Sequence, residues 1–340
     1  MTDKPIPATT TTPRSQTLFG NALVFETPFR RGGKGKFWLV MFCVFALAFA
    51  DADAASGTRD EIEKSFPVKP GGLLNFDSDL ANVEIATRDT DMVRVEFTRE
   101  FKVDTAQEAN ELRQKLTVEM AQSENNVKVT VRFADDRQGR DRNKVRLDFR
   151  ITMPRKFNLD LRTAGSAKVG DLDGTVKAST LGGSLKLGNV SGTVAAMSKG
   201  GSLSIGDVGA ELEARSYGGS VTVGRVNGLV TATAEGGSVS IEEATDSIVA
   251  RAAGGSVKAY LSKQPGRDSK ITAEAGSIDL RLAKSVAVTV DAACTAGRLS
   301  SDFSLHGHQT DDPGRLKGAI NGGGPAIVLR ASAGNINLRK

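Results

Sequence analysis

The chain has two histidines, and they stand one residue apart as His306-Gly307-His308, with Asp311 and Asp312 shortly after. Two imidazoles and two carboxylates could form a zinc donor set, and an imidazole beside a carboxylate is part of a hydrolytic triad. A Ser-His pair cannot be argued from spacing, and no third imidazole exists. The surrounding stretch is polar and rich in Gly and Pro, a context that holds ligands poorly. His306, His308, Asp311 and Asp312 are therefore expected to be neither catalytic nor metal-binding. A second candidate is a file of serines. Ser184, Ser202, Ser220, Ser238 and Ser256 recur every 18 residues, each after a Gly-Gly pair and before Leu or Val. A serine needs an adjacent base to act as a nucleophile, and none lies beside these. The expectation is a corner hydroxyl ladder bonding neighbouring turns.

Other chemistries lack their signatures. A calcium-binding β-roll carries Gly-Gly-x-Gly-x-Asp in each repeat; here Ser follows the Gly pair and no Asp column succeeds it. A phosphate-binding or dinucleotide loop places its glycines between a strand and a helix, whereas these pairs fall between strands. Polysaccharide-cleaving β-helices have longer rungs and aromatic sugar platforms. Beyond residue 55 only Tyr217 and Tyr260, with Phe, are available. The net charge of +5 comes partly from a cationic cluster at Arg30, Arg31, Lys34 and Lys36. No basic face interleaved with aromatics follows, so nucleic acid is not an expected partner. No catalytic, cofactor-binding or metal residue is assigned, and no cofactor is expected.

What positions these residues is the repeat itself. Counting back from the Gly-Gly pairs, one column reads Thr180, Ser198, Ser216, Ala234, Ala252. The next reads Ala178, Ala196, Ala214, Ala232, Ala250, and a third Val176, Val194, Leu212, Val230, Ile248. Polar residues alternate with them, the period-2 pattern of a half-buried strand. After each Ser come Leu185, Leu203, Val221, Val239, Val257 and then Leu187, Ile205, Val223, Ile241, Ala259, a second short strand. Val190, Val208, Val226 and Ala244 form a further apolar column. No single unit buries its own apolar face, but stacked units do. Aromatics make up only 5% of the 340 residues, a composition suited to many thin layers. The Gly-Gly pairs are expected to permit positive φ at a repeated corner. Flanking rungs read Leu159-Leu161-Thr163 before Ala164-Gly165-Ser166, then Ala275-Gly276-Ser277, then Val290-Ala292-Cys294 before Ala296-Gly297. Cys294 falls in the small inward column as a buried apolar filler. Ile327, Leu329 and Ala331 before Ala333-Gly334-Asn335 should close the series.

The predicted fold is all-β: a single-stranded β-helix or solenoid with 18-residue rungs at 157–340, with a loop excursion at 300–325. It is preceded by a small strand-rich cap region, 60–156. Within that cap, Thr105-Ala-Gln-Glu108 is a capping box. Ala109, Leu112, Leu116 and Met120 follow at helical spacing, which predicts a helix over about 105–120, placed as a lid on the stack or in a small α+β unit leading into it. Residues 30–55 have the order of a secretory signal: cations, the apolar run Phe37–Ala50, then small residues. That run is shorter than the ~20 residues needed to span a bilayer; an uncleaved anchor is the alternative, and only then is membrane a partner. Residues 1–29 read as an unstructured leader or an over-long start. After removal of the signal with Cys43, Cys294 would be alone and no internal disulfide could form.

The stretch "SFPVKPGGLLNFDSDLANVEIATRDTDMVRVEF" (Ser65 to Phe97), the later "FRITMPRKFNLDLRTAGSAKVGDLDGTVKASTLGGSLKLGNVSGTV" and the final segment Gly318 to Leu338 resemble the bacterial putative-adhesin β-helix family, a domain of unknown function. The resemblance covers Ser65 to Lys340 and rests mostly on structural glycines and apolar columns. The helical insert near Thr105 departs from it. It implies a β-helix and an envelope setting, and no site residues. The expected function is an extracytoplasmic, adhesin-like binding or structural module of the bacterial cell envelope, secreted or periplasmic, without catalysis. Its partner would be a surface protein or glycan. The alternatives are a carbohydrate-active β-helix enzyme and a membrane-anchored envelope regulatory component.

Overall fold

Each 18-residue period closes one turn of a coil, so equivalent residues of successive turns lie side by side on parallel strands. In the computed structural model, which describes residues 59–134, 141–306, 312 and 314–340, those strands run as predicted. One strand of each rung is β10 (Val176–Thr180), β12 (Val194–Ser198), β14 (Leu212–Ser216), β16 (Val230–Ala234) and β18 (Ile248–Ala252). The other is β11 (Leu185–Leu187), β13 (Leu203–Ile205), β15 (Val221–Val226), β17 (Val239–Ala244) and β19 (Val257–Leu261). Ala178 pairs with Ala196, Ala196 with Ala214, Ala214 with Ala232 and Ala232 with Ala250, all parallel and in register. The small inward file is buried, Ala214 being 1% exposed. The third apolar column is real but short. Leu172, Val190, Val208 and Val226 join by single parallel bridges, which makes a narrow third side.

The stack extends beyond these five rungs at both ends. The strands β8 (Asn158–Thr163) and β9 (Ala167–Val169) pair with β10 and β11. Next to them lie β2 (Leu73–Ser78) and β3 (Asn82–Arg88), also parallel and in register. So the first rung comes from the segment expected to be cap. Beyond it, β6 (Asn126–Phe133) and β7 (Val145–Pro154) add one more parallel layer on β2 and β3. The direction then reverses. β5 (Leu116–Ser123) runs antiparallel on β6, β4 (Met92–Phe101) antiparallel on β7, and β1 (Arg59–Pro67) antiparallel on β4. Reversal ends the parallel template on which another chain could continue the coil.

The predicted helix is shorter than its apolar spacing suggested. Helix α1 covers Ala106–Gln114. Thr105 caps it, its side chain accepting from the Glu108 N–H at 3.2 Å, and Ala109 and Leu112 are buried. Leu116 and Met120 instead belong to β5. A spacing of four satisfies a helix and a strand alike, and Val118 between them marks the strand period. Among the described residues, the segment 60–156 holds most of the large rings. Phe149 stacks on Phe97 at 4.9 Å and meets Phe76 edge-on at 5.1 Å, while the rungs are filled by Val, Leu, Ile and Ala. Each buried Val, Leu or Ile contributes roughly 1.5–3 kcal/mol by leaving water.

At the other end the chain does not finish in sequence order. After β20 (Ser269–Ala273) and β21 (Ile278–Leu282) come β22 (Val288–Ala296) and β23 (Leu299–Ser301), then β24 (Arg315–Ile320), and finally β25 (Ala326–Ala333) and β26 (Ile336–Arg339). The last pair is inserted: β25 lies between β20 and β22, and β26 between β21 and β23. Ile327, Leu329 and Ala331 thus form the penultimate layer in space, not the closing one. The stretch 300–325 is also not all loop. β24 pairs antiparallel with β22 and covers its outer edge. Cys294 is buried opposite Ala331, as expected of a filler.

The glycine pairs act by size. Among the described residues, positive φ occurs at Gly71, Gly322, Gly323 and Gly334 and at the non-glycines Glu124 and Asn321, and at no glycine of the five repeated pairs. The expected left-handed corner is therefore wrong. A Cβ on Gly201 would stand 2.5 Å from the Gly183 carbonyl carbon and 2.5 Å from the Ser184 nitrogen. Rungs stacked at ~4.8 Å leave no room for a side chain where two corners lie one on the other.

Candidate functional site

The repeated serines do what a corner ladder requires. The N–H of Ser202 donates to Ser184 Oγ at 3.2 Å, and the N–H groups of Ser220, Ser238 and Ser256 donate to the serine one rung back at 3.1–3.2 Å. The ladder runs on to Ser277, whose N–H reaches Ser256 Oγ at 3.1 Å, and to Asn335, whose N–H reaches Ser277 Oγ at 3.0 Å. Asn335 Oδ1 then accepts from Arg298 N–H at 2.9 Å. The ladder follows the spatial order of rungs, including the inserted last one. The buried hydroxyls are committed as well. Ser198 Oγ donates to Gly183 O at 3.1 Å and accepts from Gly201 N–H at 3.0 Å; Ser216 does the same one rung on, with Gly201 and Gly219.

Sequence reasoning missed a second ladder. The N–H of Asn189 donates to Asp171 Oδ1 at 2.8 Å, that of Asp207 to Asn189 Oδ1 at 2.9 Å, and that of Arg225 to Asp207 Oδ1 at 2.8 Å. The signal was legible: Gly170-Asp171, Gly188-Asn189 and Gly206-Asp207 recur at the rung period, and an Asx oxygen readily accepts from backbone. Arg225 cannot accept, so the ladder ends there.

The His/Asp cluster is only partly described. His308 and Asp311 lie outside the described residues. His306 is exposed and bridges Ala319 through its backbone, at 3.0 and 2.9 Å. Asp312 Oδ1 accepts from Gly314 N–H at 2.8 Å, and its other oxygen lies 3.6 Å from Arg315. His306 thus helps fasten the hairpin that covers β22, and Asp312 caps a turn.

Among the described residues, open grooves lie on both sheet faces. One, of about 1000 Å³, crosses the outer face of the β1–β4–β7–β3–β9 side near the N-terminal end. Most of its charges are paired: Glu84 with Lys168 at 2.6 Å, Arg146 with Asp148 at 2.7 Å, Arg94 with Glu63 at 2.7 Å. The hydrogen bond from Lys168, then its charge, holds the Glu84 carboxyl below the ordinary range.

The second groove lies on the outer face of the opposite sheet, over β8, β10, β12 and β14. It consists of two adjoining depressions of about 490 and 550 Å³ that share Asp160, Lys177, Ala195 and Glu213. The floor is low because β12 presents Ala195 between Lys177 of β10 and Glu213 of β14. Tyr217, 41% exposed, stands at one end with the Arg215 guanidinium 4.6 Å from its ring centre. Beyond this groove the same face is tied in ion pairs. Arg251 bridges Glu235 and Glu274, both at 2.6 Å, and its hydrogen bond holds the Glu235 carboxyl low. Asp160 and Glu213 share one outward column three strands apart, about 14 Å at the ordinary spacing, too far for a pair that cleaves a glycosidic bond at about 5–9.5 Å. Glu211, just before β14, and Glu213 on it stand on one wall, where they cannot flank a bond.

Stacked parallel rungs, closed by antiparallel strands on both sheets at one end and on one sheet at the other, define a capped β-solenoid with polar grooves on its sheet faces. Residues 73–339 match the family Toastrack DUF4097, and the chain belongs to it. Among solved structures it is similar to a putative adhesin from Parabacteroides distasonis, at 10% identity and a TM-score of 0.33 over 82% of this chain and 97% of that one. It is also similar to a putative cell adhesion protein from Clostridium sporogenes (14% identity, TM-score 0.24, 82% and 99% covered). A third is a putative lipid binding protein from Parabacteroides distasonis (12% identity, TM-score 0.30, 83% and 97% covered). Comparison with curated proteins gives no match.

Proposed function

We propose that the chain is an adhesin-like binding module of the bacterial cell envelope, exported and without catalytic activity, whose contacts are spread along the faces of the coil. One observation supports this above others: the polar side chains that the repeat enforces are consumed by the rod itself. The serine file, the Asx file and the buried hydroxyls all bond the next rung or its turn. What varies from rung to rung is the outward face, and an extended variable face on a regular scaffold is how solenoids bind partners. Export rests on residues 30–55, which lie outside the described residues. Among the described residues no helix is long and apolar enough to cross a membrane.

Two measurements test the proposal. Exported protein, applied to glycan and protein arrays, should retain ligands without altering them; turnover of a retained glycan would put the enzyme alternative in its place. N-terminal sequencing and mass of the exported form should place its start near Ala55, with Trp38 absent. A full-length, membrane-bound product absorbing as indole would establish the anchored alternative.

A further inference from the structure

The groove over β12 gathers several charged side chains that are left unpaired. Asp160, Arg162, Lys177, Glu211 and Glu213 line it, and among the described residues none has a hydrogen-bond or ion-pair partner for its side chain. The neighbouring charges Arg215, Arg251 and Arg330 on the same face all have one. These five groups are arranged across a gap. Lys177 on β10 and Glu213 on β14 flank Ala195 of β12, two strand spacings apart or roughly 9.6 Å. Arg162 and Lys177 make one wall mainly cationic. Glu211 and Glu213 make most of the other anionic, with Arg215 beside Tyr217 at its far end. Thr193 to Met197 gives a floor about 13 Å long at the usual strand rise, and Tyr217 closes one end.

We propose that this groove binds a short oligosaccharide that carries carboxylate groups, lying along β12 with its carboxylates toward Lys177 and Arg162 and its hydroxyls toward Glu211 and Glu213. Three features select that chemistry. The groove is two-signed and its charges are unspent, so it suits a ligand that is both acidic and rich in hydroxyl donors. The exposed Tyr217 ring offers an apolar face for the C–H side of a sugar. The strands beneath are interior to the sheet, with β12 paired to both β10 and β14. No backbone edge is free here, so an extended peptide could not dock by adding a strand. The ligand has to be recognised by side chains alone.

The inference rests on the binding-module reading and is tested separately from it. The exported protein is titrated calorimetrically with an oligogalacturonate tetramer, with neutral chitotetraose and with an extended Asp/Gly peptide. The acidic sugar should bind, and at least tenfold tighter than the other two. Lys177→Ala, Glu213→Ala and Tyr217→Ala should each weaken it about tenfold, the scale of one charge-assisted contact. Ala195→Arg, at an exposed position, should fill the floor and abolish binding while melting like the parent. Lys258→Ala on the opposite sheet should change nothing. Equal affinity for the neutral sugar or the peptide overturns the proposal, as does absence of binding or parental affinity in the groove variants. If the groove fails while array ligands are still retained, the binding-module reading survives; if neither binds, both fall.

Discussion

Replacing Gly201 by Ala should destabilise the solenoid, and replacing it by Asn should do so more. The built Cβ meets three backbone atoms of the rung below, at 2.5, 2.5 and 2.6 Å. None is the end of a flexible side chain. Relief requires two rungs to part by most of an ångström, against the bonds from Ser202 N–H to Ser184 Oγ and from Ser198 Oγ to the Gly183 carbonyl. Overpacking of this kind costs about 1–3 kcal/mol. Loss of glycine's freedom in the unfolded chain returns about 0.4–1 kcal/mol. The net is a loss of roughly 1–2 kcal/mol, a fall in Tm of about 2–8 °C for a domain of this size. Gly71 supplies the contrast. Its φ is +84° and nothing lies within 4 Å of its built Cβ. Ala there should lose about 1–2 kcal/mol through backbone strain alone, and Asn, which tolerates that conformation, should recover part of it. Gly266, at ordinary φ with its nearest neighbour at 3.5 Å, should be stabilised by Ala. Thermal unfolding followed by circular dichroism compares all five variants. If Gly201→Asn melted above Gly201→Ala, conformation and not stacking would explain the repeated glycine.

Three further outcomes follow from the same geometry. Ala214→Leu should cost about 1–3 kcal/mol by overpacking the inward alanine file; a variant melting like the parent would show that the file does not face inward. The N–H of Gly266 bonds Asp246 at 2.8 Å and is the main cause of its lowered pKa. A carboxyl depressed in the folded state stabilises above its unfolded value of about 3.9, and that contribution is lost as pH falls through the folded pKa. Asp246→Asn should therefore flatten the stability profile below about pH 4, and an unchanged acid limb would remove Asp246 from the account. Replacing His306 and His308 together by Ala should leave melting and array binding nearly unchanged; loss of an activity, or release of a stoichiometric metal, would restore those residues as a site.

The inward half of this molecule was legible because stacking forces it to repeat. Val176, Ala178 and Thr180 have the same neighbours as Val194, Ala196 and Ser198, so the same sizes recur and the period reveals them. Where the sequence misled, two physical causes gave the same pattern. Leu116 and Met120 at a spacing of four fit a helix or a strand. Gly-Gly at a corner fits positive φ or close approach, and only the distance from Gly201 to Gly183 separates the two. Spatial order was hidden for another reason. β25 resembles every other rung strand, so nothing in its composition shows that it enters between β20 and β22. The candidate groove was hidden most deeply, since its character lies in Ala195 being small where Lys177 and Glu213 are long. Those residues sit in outward positions on which the repeat places no demand.

That freedom also explains where recognition can sit on such a scaffold. An inward substitution such as Ala214→Leu is felt by the rungs on either side, because they share one file. An outward substitution at Ala195 changes the surface and leaves the hydrogen-bonded register of β10, β12 and β14 intact. Outward columns can therefore change from rung to rung with little effect on folding, and a groove arises wherever one rung turns small between two long-chained neighbours. Regularity ends at the caps for the opposite reason. β1, β5 and β24 must break the parallel template to keep another copy from extending it. Insertion of β25 and β26 then gives the last segment of the chain two parallel neighbours on each sheet, where an end strand would have had one and would have frayed. The ends and the inward files are thus fixed by the needs of the coil, and the side-chain differences left over on its outer faces are what a ligand can read.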